Sequence, residues 1–106
     1  VDLEQEDPVE IVKKTIELYL EKRCREIIEY ISITSQKKLR ISLRALYTHY
    51  QPTEEYPRFT DALRKALEKM PQLLRSMGFD IEGAGTEEFL IISREEIEKL
   101  CGKYRL

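Results

Sequence analysis

Tryptophan and asparagine are absent from this 106-residue chain, and histidine occurs once, at His49. One histidine and two distant cysteines, Cys24 and Cys101, leave no Cys/His spacing suited to zinc and no nucleophile–base pairing. The chain therefore reads as non-catalytic, without metal or cofactor. No apolar run is long enough to cross a membrane, and the N-terminus lacks the pattern of a signal peptide. A cytoplasmic location is expected, and with it two reduced, half-buried core thiols rather than a disulfide. The first residue is Val1 rather than methionine, and the opening VDLEQED is acidic. Residues 1–7 read as a linker remnant of a larger protein, and residues 8–106 as one domain. Repeats and low-complexity segments are lacking as well.

Charge is what the chain has in quantity: 36% of residues are charged, with lysine and glutamate abundant, a bias similar to thermophile composition. The net charge of −2 alone argues against strong nucleic-acid binding. Its distribution says more. Residues 1–10 hold five acids and no base, whereas Lys37, Lys38, Arg40 and Arg44 lie in a stretch, 37–51, without an acid. Residues 78–106 are acidic again.

The stretch from Ile41 to Ser93 organises the rest. Phe59, Leu63, Ala66, Met70, Leu73 and Met77 recur at three and four residues, the helical period. Arg58, Asp61, Arg64, Lys65, Glu68, Lys69 and Arg75 fall on the opposite face. The pattern predicts a helix around 58–75, kinked or broken near Met70, because Pro71 lacks a donor and clashes one turn back. Gly78 stands where a helix C-terminal glycine belongs. The period then falls to two. Phe79 and Ile81 alternate with Asp80 and Glu82. The turn Gly83-Ala84-Gly85-Thr86 and the run Glu88–Ile92 complete a hairpin. The longer pattern of a phosphate cradle is missing around those glycines.

Flanking elements carry their own signals. Asp7 and Pro8 open a helix that places Val9, Val12, Ile16, Tyr19, Leu20, Cys24, Ile27, Ile28 and Ile31 along one face. Ile11 and Leu18 fall partly off that stripe. Lys37–Ile41 suits a short strand, and Ser42 caps a helix running through Tyr50. Gln51–Pro57, with two prolines, forms a turn. Ser93-Arg94-Glu95-Glu96 matches a capping box for a last helix, ending near Gly102.

Helix, short strand, helix, turn, helix, strand, glycine turn, strand, helix is an order that resembles a winged helix-turn-helix. The resemblance covers about Ile27 to Ser93, through LRALYTHY, RFTDALRKAL and MGFDIEGAGTEEFLII. The chain is also similar to winged-helix modules of plasmid and viral replicative primase-helicases, where a Leu-Tyr-x-x-Tyr helix precedes a Phe-x-x-x-Leu helix and a glycine-phenylalanine strand. The expected fold class is α+β, mainly helical, with a C-terminal β-hairpin wing; the alternative is an all-α helix bundle.

The resemblance implies a DNA-binding module of a replication or regulatory protein, with the helix around 58–75 in the major groove. Arg58, Arg64, Lys65 and Lys69 would contact base edges and phosphates. Lys37, Lys38, Arg40 and Arg44 would add backbone contacts. The same α-face residues also describe an ordinary solvated helix side, softened by Asp61 and Glu68. The hairpin departs from the family pattern, since Asp80, Glu82, Glu87 and Glu88 flank it where a DNA-contacting wing usually carries cations. Two alternatives follow. One is a protein-interaction module, dimeric through Ile11 and Leu18. The other is a primase-associated bundle binding single-stranded template and nucleotides through Arg40, Arg44, Tyr47 and Tyr50. Tyr47, His49 and Tyr50 read as a cap on the core edge before they read as a stacking surface.

Overall fold

The computed structural model describes residues 7–84 and 87–103. Asp7 accepts a hydrogen bond from the Val9 amide at 3.0 Å and starts helix α1, Pro8–Ser32. Asp7 thus belongs to the folded domain rather than to a linker. Strand β1 is Lys38–Ser42, and the Ser42 hydroxyl caps α2, Leu43–Tyr47. This helix is shorter than its pattern predicts: His49 and Tyr50 lie in turns after it. Helices α3, Phe59–Lys69, and α4, Leu73–Ser76, precede strands β2, Phe79–Ala84, and β3, Glu87–Ser93. Helix α5, Arg94–Gly102, closes the described chain, with the Ser93 hydroxyl accepting from the Glu96 amide at 3.1 Å.

Pro71 produces a break rather than a kink. Met70 leaves the helical region at φ −140°, ψ 86°, and the chain restarts as α4. The single helix expected around 58–75 is therefore two, and Arg75 does not share a helix with Arg64. Gly78 then adopts φ +92°, a conformation that side chains with a Cβ avoid. A Cβ added there would also meet the Glu96 carboxylate at 3.2 Å.

The domain is α+β: among the described residues, five helices accompany a three-stranded antiparallel sheet of order β1-β3-β2. The all-helical alternative fails because all three period-two runs pair. β3 takes the centre, opposing Ile41 to Leu90 and Leu39 to Ile92 on one side, Phe79 to Ile92 and Ile81 to Leu90 on the other. Gly83 and Ala84 extend β2 into the stretch expected to turn, opposite Glu88 and Glu87. Gly85 and Thr86 lie outside the described residues.

Alternation gives the sheet two unlike faces. Ile41, Phe79, Leu90 and Ile92 join Ile16, Leu20, Leu46, Phe59, Leu73 and Ile97 in one apolar core. Each fully buried side chain of this kind contributes about 1.5–3 kcal/mol over an exposed one. Lys38, Arg40, Asp80, Glu82, Phe89 and Ile91 alternate with the core residues and fall on the outer face.

Cys24 and Cys101 form a disulfide joining α1 to α5, with their Cα atoms 5.3 Å apart and a sequence separation of 77. This overturns the expectation of reduced thiols. Both residues face the core, 5% and 0% exposed. Their separation in sequence hid the contact, which only packing of the last helix on the first creates. Closing so long a loop restricts the unfolded chain, worth about 4.5 kcal/mol in the chain-entropy description.

Candidate nucleic-acid interface

The eight predicted contact residues divide by the company they keep. Arg64 lies 3.5 Å from Asp61 and Lys65 3.6 Å from Glu68, both pairs within α3 at three-residue spacing. The helix that carries these cations carries their counter-charges too. Arg40 is engaged across the sheet: its Nη2 donates to Glu82 Oε1 at 2.6 Å, and its guanidinium carbon sits 4.8 Å from the centre of the Phe89 ring. A hydrogen-bonded cation over an aromatic face is held as a fixed plane.

Lys37, Lys38, Arg44, Arg58 and Lys69 are exposed and make no ion pair among the described residues. They do not form one continuous patch. Lys37 and Lys38 stand at the start of β1, while Arg44 follows its end, roughly 15–20 Å along at about 3.4 Å per strand residue. Arg44 lies one turn before Tyr47 on α2, and the Tyr47 ring is 6.3 Å from that of Phe59, the first residue of α3. Arg44 and Arg58 thus stand beside this ring contact in sequence, Arg44 one turn before Tyr47 and Arg58 next to Phe59. Arg58 is the N-cap of α3 and forms no side-chain capping bond. Lys69 closes the same helix, about 16 Å away at 1.5 Å per residue.

The acids of the hairpin are partly neutralised from outside it. Asp80 lies 3.4 Å from Arg75 of α4, and Glu82 holds Arg40. Sequence reading missed both pairings, which join elements separated in the chain. The alternation of charge along β1 and β2 was the available signal, but it needs the strand order to be used.

The aromatic cluster is split by the fold. Tyr47 is exposed at 45%, whereas the Tyr50 ring packs 5.6 Å from Phe59 and its hydroxyl donates to the Tyr56 carbonyl. His49 turns the other way, its ring edge-on to Tyr19 at 5.7 Å. Its Nε2 is buried without a hydrogen-bond partner among the described residues. Burial pushes the Tyr19 phenol above its usual range, with Arg23 opposing and Glu26 adding to the shift. Ile11 and Leu18 are half-buried and line a cavity of about 190 Å³ with the 49–53 segment, so they do not form an open apolar stripe.

Among the described residues no cluster of His, Cys, Asp and Glu could hold a metal ion, and no helix is long and apolar enough to cross a membrane. Set against models of protein families, curated proteins and solved structures, the chain matches none.

Proposed function

We propose that this domain is a winged helix that binds duplex DNA without catalysis of its own, as part of a replication or regulatory protein. One observation carries the reading: Arg44 and Arg58, exposed and without an ion pair among the described residues, flank in sequence the Tyr47–Phe59 ring contact between α2 and α3. The order of helix, strand, three helices and hairpin, and the pairing of β1 on β3, support it. In this reading α3 lies in the major groove. Arg58 and Lys69 meet phosphates at its two ends, and Arg44 adds a contact from α2. Arg64 and Lys65 reach DNA by exchanging Asp61 and Glu68 for it, so each gains less than an unpaired cation. The hairpin approaches with Asp80 and Glu82 already compensated by Arg75 and Arg40.

The disulfide is compatible with a cytoplasmic location if the thermophile-like composition reflects a hyperthermophilic source, where intracellular disulfides are common. A protein partner is the second reading, favoured by Ile81. It is 43% exposed at the sheet edge and borders a groove lined by Leu67, Pro71 and Leu74.

Fluorescence anisotropy with a labelled duplex at several salt concentrations tests the first reading. Wild-type affinity should fall linearly on log–log axes, and Arg44→Glu with Arg58→Glu should reduce the slope by about 2, one for each phosphate contact. Lys65→Glu should weaken binding less, and Glu21→Lys should not weaken it. If the α2–α3 variants and Glu21→Lys behave alike, the assignment of this surface is wrong. No duplex binding at low salt turns attention to the groove beside Ile81.

A further inference from the structure

The outer face of the sheet holds a feature that duplex binding does not use. Where the end of α1 meets β1, a cleft of about 540 Å³ is lined by Tyr30, Gln36, Lys38, Arg40, Glu82 and Ile91. That volume is within the usual range for a small-molecule or cofactor site. Tyr30 is 45% exposed although it is large and aromatic, and its hydroxyl donates to Gln36 Oε1 at 3.4 Å. The ring is thus tethered at one edge and open on its face. Arg40 supplies a second planar group, fixed between Glu82 and the Phe89 ring.

We infer that this cleft binds a nucleotide unit, with the base against the planar groups and the phosphate on the lysines. Aromatic rings stack on any base, and a guanidinium plane does the same. The Gln36 amide offers both a donor and an acceptor to a base edge, and the Glu82 carboxylate accepts from exocyclic amino groups. Lys38 lines the cleft and Lys37 precedes it. Both are exposed without an ion pair among the described residues, as a phosphate site requires. Glu82 does not repel that phosphate as a free carboxylate would, because Arg40 holds it. A merely acidic ligand would use the two lysines and gain nothing from the Tyr30 ring. The chemistry suits a nucleotide in a single strand or a free nucleotide equally, and the test separates them.

The inference stands on the sheet face and does not depend on α3, so both surfaces can be followed in one set of titrations. The full chain, labelled with ¹⁵N, is titrated with dTMP and dAMP, then with dT10 and dA10. Binding in the cleft moves the Gln36 side-chain amide and the backbone amides of Lys38 and Ile91. Tighter binding of the oligonucleotides assigns a single strand as source, and equal binding assigns a free nucleotide. By anisotropy or by shift titration, Tyr30→Ala should weaken whichever ligand binds by about tenfold, the loss of one stacked base. Tyr30→Phe should bind within about threefold of wild type, since it keeps the ring. Duplex affinity should be the same in all three proteins. Circular dichroism should show both variants folded, because Tyr30 is exposed. The inference is overturned if neither ligand moves those amides, if Tyr30→Ala binds as wild type, or if Tyr30→Phe loses as much as Tyr30→Ala. Equal loss of duplex and single-strand binding in Tyr30→Ala also overturns it, because the ring would then belong to a shared surface.

Discussion

The two faces of the sheet use the same three strands and have opposite fates. On the inner face Ile41, Phe79, Leu90 and Ile92 are 1–4% exposed and belong to the common core. One residue further along each strand, the outer face carries Lys38, Arg40, Asp80 and Glu82, all exposed, with Phe89 and Ile91 half-buried between them. The difference follows from the period of two, which sends neighbours in sequence to opposite sides. It teaches that parity assigns the role of a residue in the central strand, whereas at the sheet edge Ile81 shares Leu90's parity and is still 43% exposed. Ile91 and Ile92 are the same amino acid with different duties.

The largest effect expected lies behind the inner face, where Cys24–Cys101 ties together α1 and α5. Opening the bond, by a reductant or in Cys24→Ser with Cys101→Ser, should lower unfolding stability by up to about 4.5 kcal/mol, the entropy of a long loop released in the unfolded chain. Urea titrations with and without reductant measure this. Coincident curves would mean that the bond does not hold the helices together. Ile92→Ala, deleting part of a side chain 1% exposed, should cost about 2–5 kcal/mol. Ile91→Ala, across the strand, should cost less than about 1 kcal/mol by lost apolar area. Equal losses would break the distinction between faces.

The smallest effect is the Arg40–Glu82 pair. Its side chains are 55% and 56% exposed, so solvent screens it. A double-mutant cycle with Arg40→Ala and Glu82→Gln should give a coupling below about 1 kcal/mol, small despite the 2.6 Å contact. A coupling of several kcal/mol would mean that the outer face contributes to stability as the inner face does.

Much of the fold was legible because its signals are local. Asp7, Ser42 and Ser93 each cap the helix that follows, as hydroxyl or carboxylate next to an apolar-periodic run should. Pro71 ended α3 and Gly78 took a positive φ for reasons internal to those residues. Less of the candidate site could be read. Lys37, Lys38, Arg40 and Arg44 appear as one basic run in sequence, yet β1 separates Lys37 and Lys38 from Arg44, and Arg40 is taken by a carboxylate 42 residues away. The α3 cations looked like the strongest candidates on helical geometry, and Asp61 and Glu68 reduce two of them to ordinary pairs. Nothing near Tyr30 in sequence marks a cleft, which forms only where α1 and the sheet come together.

The sequence by itself determined which stretches become helix or strand, where the capped helices start, and how charge is distributed along the chain. These depend on residues within a turn or two of one another. Only the tertiary structure decided that Cys24 meets Cys101, that β3 lies between β1 and β2, and that Arg40 and Arg75 face the hairpin's acids. Those pairings join distant parts of the chain. They exist only after burial of the shared core has brought the elements together.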